Sequence, residues 1–413
     1  MRKHFALHVV LASGLVCAQS YSEVDTGFSA KATSSLYKNN AQTSWLQGGV
    51  GRFDSDSGAA NDIQLGYKAY LLDKIELSGH AQLRHSTDKN FGKTAGVIEL
   101  KARYLQALDK NGNNRLLFTA GQFFLPTSME NTSAFWDSPY TISYSSLNSW
   151  IGQEFRPVGL DIDFRHKFSS DTQVHIAATS FMGNDSLGAG LAWRGWTYGR
   201  LLSVYNETHP LPQLSTLAAG GSFSVQQNEG SKPFGEDLDN KVGSAIRASV
   251  LVPGKYELKL SVVDNNGDKL LHAGEYAWET RFSILGARWE VSDYVTLLGE
   301  YSQGNTKMGP ANNANVDFKS AYLLASYLKK DWRYSFRYDT FQNDDLDSTG
   351  DDINNDEGTS YTAAIFWQPS TKTYKLGAEI LYLNGKKERL LESGFFSEEN
   401  SYQFSLIGSY GFW

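Results

Sequence analysis

Residues Ser401 to Trp413 read SYQFSLIGSYGFW. Tyr402, Phe404, Leu406, Gly408, Tyr410 and Phe412 share one parity, whereas Ser401, Gln403, Ser405, Ile407 and Ser409 share the other. Side chains alternate faces along a strand, so this stretch predicts a strand with one apolar and one mostly polar face. It carries aromatics at both ends.

The ending Tyr410-Gly411-Phe412, with Trp413 after it, resembles the C-terminal signal of Gram-negative outer-membrane β-barrels. The resemblance implies that Tyr410, Phe412 and Trp413 address the chain to the barrel-assembly machinery and that this strand closes a barrel. That signal places its final aromatic on the apolar parity. Here Phe412 keeps the parity and Trp413 stands one residue beyond it, assigned as an interfacial anchor.

The opposite end is read in the same sense. Met1, Arg2, Lys3 and His4 are followed by an apolar run from Phe5 to Val16 and by Val16-Cys17-Ala18, which predicts a secretory signal peptide over residues 1–18. The run is too short for a membrane-spanning helix, which needs roughly 20 apolar residues. Cys17 is the only cysteine, so the mature chain is expected to hold no disulfide, thiol nucleophile or thiolate metal site.

The remaining composition favours strands. Hydrophobic residues make up 41% and the mean hydropathy is −0.40, so no later stretch approaches a membrane helix. A transmembrane barrel escapes such a measure because only alternate residues face lipid. The formal charge of −7 offers no basic surface for nucleic acid.

Along the chain, strands are joined alternately by short turns and long polar loops. Ile63 to Leu71 and Ile75 to Arg84 form one predicted hairpin, and Thr94 to Gln106 and Arg115 to Phe124 form the next, around Asp109-Lys110-Asn111-Gly112. Later turns fall at 169–171, 253–254, 292–293, 329–331 and 369–371, separated by polar stretches such as 264–276, 304–317, 343–358 and 384–400. Short turns on one side and long loops on the other match an outer-membrane barrel, with turns periplasmic and loops extracellular. Sixteen to eighteen strands are expected. Residues 19–42 are assigned to an N-terminal periplasmic segment and 43–413 to the barrel, with a first strand at Thr43 to Phe53; Leu214 to Gln227 reads as strand or loop.

Charge identifies the inward row. A Lys or Arg facing mid-bilayer lipid costs about 2–4 kcal/mol, so charged rows face the lumen. Arg84, then Lys101 and Arg103 with Glu99, then Arg156, then Asp161, Asp163, Arg165 and Lys167 are therefore expected to line the pore wall. Glu257, Lys259, Arg333, Arg337 and Asp339 follow the same rule.

The stretch 125–155 reads LPTSMENTSAFWDSPYTISYSSLNSWIGQEF and is the longest early loop. Its length and its place after the fifth strand match the loop that folds into general porins and narrows them. Gly121-Gln122-Phe123, Pro126, Ser128, Glu130 and Arg156-Pro157-Val158-Gly159-Leu160 resemble the phosphate-selective porin O and P family over about 40 residues. The resemblance implies a passive diffusion channel, usually trimeric, sometimes with cationic ladders that draw in anions. This chain departs from such ladders: its wall rows mix acids and bases, and its loop carries Glu130, Asp137 and Glu154 without Lys or Arg. Those three acids are the expected constriction, facing Arg84, Lys101, Arg103 and Arg165. Phe135, Trp136 and Tyr140, with Tyr144 and Trp150, either pack the loop against the wall or offer a surface for stacking solutes.

Other chemistry is weaker. Asp344, Asp345, Asp347, Asp351, Asp352, Asp356 and Glu357 crowd one loop at offsets partly like a calcium loop but without its final bidentate Glu, so a solvated acidic loop is expected. Histidines are scattered without a nucleophile motif, which argues against Ser/His/Asp chemistry. The expectation is an all-β outer-membrane porin, not an enzyme, without cofactor or metal. It would be embedded in lipid and lipopolysaccharide, form a homotrimer and pass small hydrophilic solutes; the alternative is a non-conducting barrel acting as an adhesin or structural protein.

Overall fold

A computed structural model describes residues 24–412 apart from 72–73, 87–93, 170, 225–229, 233–236 and 370–372. The expected signal peptide and Trp413 lie outside the described residues. The first half of the chain supplies β1 (Val24–Asn39), β2 (Gly58–Leu71), β3 (Ile75–Ser86), β4 (Ala95–Ala107), β5 (Asn114–Gln122), β6 (Val158–Lys167) and β7 (Gln173–Met182). After a long insertion come β8 (Gly243–Val252), β9 (Tyr256–Asp264) and a small separate hairpin, β10 (Leu271–His272) with β11 (Glu275–Tyr276). The rest is β12 (Glu279–Ser292), β13 (Val295–Met308), β14 (Ala314–Lys329), β15 (Trp332–Asp345), β16 (Asp356–Trp367), β17 (Tyr374–Lys387) and β18 (Glu398–Phe412).

Sixteen of these strands close an antiparallel barrel, with β9 beside β12 and β18 returning to β1. The seam runs from Ala30 opposite Phe412 to Asn39 opposite Gln403. Closure leaves no unpaired sheet edge. The C-terminal strand is thus a wall strand, with Tyr402, Phe404, Leu406, Tyr410 and Phe412 exposed on the outer face.

The outer face is apolar because it alternates with the charged rows. Leu160 and Ile162 are exposed while their neighbours Asp161 and Asp163 are buried, and Ile246, Leu323 and Ile380 repeat the pattern on later strands. Tyr338, Tyr361, Tyr382 and Tyr402 lie directly opposite one another on four consecutive strands and form an outer aromatic row. Nearer the short turns, Trp332 opposes Trp367. Aromatic rows flanking an apolar band are the surface of a barrel whose solvent is lipid.

Two boundaries differ from expectation. Residues 24–39 are the first barrel strand rather than a periplasmic segment; their outward row contains Ala32 and Ser34, so the apolar contrast is faint in sequence. Thr43 to Phe53 is not a strand. It folds back on itself through a 3-10 turn at Trp45–Gln47, and a Cβ on Gly51 would lie 2.2 Å from the Gln42 carbonyl oxygen. Only glycine permits that approach.

Three insertions at the long-loop end turn into the lumen: residues 40–57, 123–157 and the described part of 183–242. They carry α1 (Ser146–Glu154) and α2 (Ala189–Arg194). Phe53, Leu147, Trp150, Ile151, Phe155, Leu191, Trp196 and Tyr198 from the insertions pack against inward Phe282, Phe318, Phe341, Leu381 and Leu383 of the wall. The long-loop half of the lumen is therefore filled by apolar side chains. Leu214 to Ser224 lies within the third insertion and contributes no strand.

Candidate functional site

The insertion 123–157 is stitched to one side of the barrel. Glu379 of β17 accepts the backbone N–H groups of Ile142 at 2.6 Å and Ser143 at 3.0 Å. Glu300 of β13 accepts the Met129 N–H at 2.9 Å, and Asp339 of β15 accepts the Ser146 N–H at 3.2 Å. Arg337 of β15 donates to Glu130 at 2.9 Å and to Asp339 at 2.9 Å. Glu130 also receives the Ser145 N–H and hydroxyl, and Ser145 caps α1 by accepting the Asn148 N–H at 3.2 Å. Irregular backbone inside a barrel needs partners for its amides, and inward carboxylates of β13, β15 and β17 supply them.

The tip of this insertion is held under strain. Phe135 and Trp136 have φ of 62° and 56°, a left-handed backbone that costs a non-glycine residue about 1–2 kcal/mol. Trp136 stacks on Phe124 at 4.4 Å and meets Tyr144 edge-on. Its ring also covers Gly152, where a Cβ would stand 2.4 Å away. Next along the chain, Asp137 lies 3.0 Å from Lys31 of β1 and 3.8 Å from Lys375 of β17. Burial alone would raise the Asp137 carboxyl, but the two lysines hold it well below the usual carboxylate range.

The other two insertions are clasped together. Arg52, fully buried, donates to Asp356 at 2.9 and 2.6 Å, to Glu399 at 2.9 Å and to the Trp196 carbonyl at 3.1 Å. Asp54 accepts the N–H groups of Arg200 at 2.8 Å and Leu201 at 3.0 Å; burial raises its carboxyl above the ordinary value. Arg200 in turn donates to Asp62 of β2 at 3.0 Å.

Because the insertion 123–157 is tied to the β13–β17 side, space remains against β1 to β9. A cavity of 780 Å³ lies there, between Gly27, Ser29, Ser78, Gly79 and Thr119 of the wall and Phe123 to Trp136 as its roof. Small inward residues on the wall make the room. Five carboxylates line the cavity and each has a cationic neighbour. Glu76 faces Arg103 at 3.8 Å, Glu99 faces Lys101 at 2.8 Å, and Asp163 faces Arg165 at 2.7 Å. Asp161 faces Arg247 at 2.5 Å, and Glu257 faces Lys259 at 3.8 Å and Arg288 at 3.1 Å. Three of these couples are two residues apart on one strand, which puts both charges on the same face.

Of the residues expected on the pore wall, Lys101, Arg103, Asp161, Asp163 and Arg165 line one cavity. The expected constriction is rearranged. Glu130 is fully buried against Arg337, and Asp137 pairs with Lys31 and Lys375, so neither faces Arg84, Lys101, Arg103 or Arg165. Once an acid of this insertion is buried it needs a base beside it, and Arg337, Lys31 and Lys375 of the wall supply one. Arg84 instead pairs with Glu207 and donates to the Leu202 carbonyl at 3.0 Å. Arg156 is buried with its guanidinium 4.9 Å from the centre of the Phe124 ring, and Lys167 pairs with Asp171 at a turn. Glu154 belongs to α1. Of the aromatics, Trp136 packs on Phe124 and Tyr140 lies beneath Arg333 at 5.2 Å, whereas Phe135 lines the cavity roof beside His80.

Sequence reading missed Arg52, Glu300 and Glu379. The signal was available for the last two, since each is an acid on the inward parity of a strand. Arg52 sits in a loop whose folding no periodicity reveals.

Two other groups of polar residues converge. Ser203 Oγ lies 3.0 Å from His209 Nε2, and Glu207 approaches the same Nε2 at 3.8 Å, all of them fully buried. A base oriented through its other nitrogen and open to substrate is what nucleophilic catalysis requires. Asp185, Asp237 and Asp239 bring carboxylate oxygens within 4.8 Å of one another. Burial pushes the Asp185 carboxyl up to about 7 against the opposing Leu238 N–H, and the charges of Asp239 and Asp237 add to the rise. In the acidic loop, Asp347 accepts the Asn315 and Thr349 N–H groups, and Asp352 pairs with Arg389.

The fold has solved counterparts. The outer membrane channel DcaP of Acinetobacter baumannii superposes with a TM-score of 0.54 at 13% identity, over 96% of this chain and 100% of that one. OmpF of Salmonella typhi gives 0.54 at 11% identity, over 94% and 97%. The loop-deleted OmpT of Vibrio cholerae, an outer membrane protein, gives 0.52 at 10% identity, over 95% and 100%. No protein-family model matches the sequence, and a search of curated proteins found no match. At these identities the likeness is one of architecture: the chain is a closed sixteen-strand antiparallel barrel of the kind seen in outer-membrane porins.

Proposed function

We propose that this chain is an outer-membrane porin through which ions and small hydrophilic solutes diffuse. The observation that carries the reading is the charged cavity of 780 Å³ inside a barrel whose exterior is apolar. Charged side chains there are partly exposed, Arg103 by 40% and Arg165 by 38%, which only water in the lumen makes tolerable. Short turns face the periplasm and long loops the exterior. Residues 1–18 act as the export signal, and Tyr410, Phe412 and Trp413 are read by the barrel-assembly machinery. A homotrimer in lipid and lipopolysaccharide is the assembly, a form that a trimeric OmpT structure of the same architecture supports. Passage is limited by the roof from Phe123 to Trp136. The burial of Ser203, Glu207 and His209 supports a non-enzymatic role.

A second reading is favoured by one observation, the apolar packing of the long-loop half of the lumen. It makes the barrel a non-conducting adhesin or structural protein. Single-channel recording of the refolded protein in planar bilayers separates the two. Discrete conductance steps support the channel; a sealed bilayer despite a folded barrel supports the alternative.

A further inference from the structure

The cavity's ionic couples define the solutes it accepts. Resting on the channel reading, we propose that the lumenal cavity favours small zwitterions, solutes with one ammonium and one carboxylate, over net anions and cations of the same size. Every lining carboxylate has a base within 4 Å and the lining bases exceed the acids only by Lys68, so close dipoles dominate the field of the cavity over its small net charge. An ion of either sign loses hydration on entering and meets an attractive and a repulsive group together. A zwitterion meets attraction at both ends when it lies along a couple.

The couples at Asp163/Arg165 and Glu257/Lys259 are the best placed. Both line a side recess of 120 Å³ that opens beneath Pro126, where inward Ala177 and Ser249 leave room beside them. Arg165 is 38% exposed and Glu257 and Lys259 are 16% and 15% exposed, so their charged ends reach lumen water rather than being sealed in the wall. The recess suits a molecule of amino-acid size. Pro126 offers apolar cover above, and Arg247, which also lines the recess, is paired with Asp161.

Uptake of radiolabelled glycine, glycolate, ethanolammonium and erythritol into vesicles carrying the full-length refolded barrel tests the proposal. Glycine enters at least about threefold faster than each of the other three, as expected of a site that attracts both ends of a dipole. Glycine slower than or equal to either ion, or matched by erythritol, overturns the proposal while leaving the channel intact. Exclusion of all four solutes overturns the channel reading and the proposal with it. The double variant Arg165→Gln with Lys259→Gln removes the base beside Asp163 and one of the two bases beside Glu257, so ethanolammonium overtakes glycine. Arg165→Lys keeps the glycine preference and controls for folding, scored by heat-modifiable migration. An unchanged solute order in the folded double variant also overturns the assignment.

Discussion

Arg337 and Glu130 lie 2.9 Å apart with no solvent exposure of either side chain, joining the wall strand β15 to the insertion 123–157. The pair fixes which side of the lumen the insertion occupies, and so where the cavity forms. Arg337→Met leaves Glu130 buried without its cation, a loss on the order of 3–5 kcal/mol for such a pair. The barrel wall remains, since its ladder uses the backbone of Arg337 and not the side chain, but the insertion detaches. Single-channel conductance is expected to rise and protease cleavage between 125 and 155 to accelerate; an unchanged conductance would falsify this role.

Asp137 is held by Lys31 and Lys375 directly beside two residues in left-handed backbone. Asp137→Asn removes the charge that holds the tip against its strain. The variant is expected to show larger current fluctuations in open-channel recordings, and Phe135 is expected to lose protection in hydroxyl-radical footprinting. A recording as quiet as the parent's would show that the aromatic stack alone is sufficient.

Arg52 gathers two insertions and two strands through Asp356, Glu399 and the Trp196 carbonyl. Arg52→Gln cannot satisfy both carboxylates, so residues 40–57 and 183–204 are expected to exchange amide hydrogens about tenfold faster or more, equivalent to roughly 1.4 kcal/mol or more of local stability. Wall strands keep their protection. Loss of protection in the wall instead would mean that the clasp supports the barrel itself.

Asp185 gives a pH dependence with a definite sign. Its folded-state value of about 7 lies above the ordinary 3.8, so its proton is bound more tightly in the folded insertion than in a detached one. The contribution is complete below about pH 4 and is lost as pH rises toward and through 7. Amide exchange in 183–204 is therefore expected to quicken between pH 4 and 8, after correction for intrinsic rates. Asp185→Asn should flatten the change, and an equal slope in the variant would remove Asp185 as its cause.

The wall was legible in sequence because lipid imposes a strict rule on alternate residues. Asp161, Asp163 and Arg165 opposite Leu160 and Ile162 reveal both the strand and its inner face. What fills the lumen was not legible. Phe282 and Phe341 face inward on the same parity as Arg288 and Arg337 of their strands, and periodicity does not distinguish a filled lumen from an open one. Arg52, Asp54 and Trp196 come together only through tertiary folding of two loops distant in sequence. The partners of Glu130 and Asp137 were missed for a related reason. Charge pairing across a barrel depends on which wall an inserted loop rests against, and Glu379, Glu300 and Arg337 decide that through backbone amides.

The seam between β1 and β18 joins ten residue pairs drawn from opposite ends of the described chain. During biogenesis the order of events is consequently constrained. Until the final strand arrives, the growing sheet has two open edges, and no hairpin formed earlier can substitute for the missing neighbour. Each neighbouring hairpin is local, but closure is the longest-range contact in the molecule and pays its loop entropy last. A sheet that lacks residues 398–412 would therefore keep both of its edges unpaired.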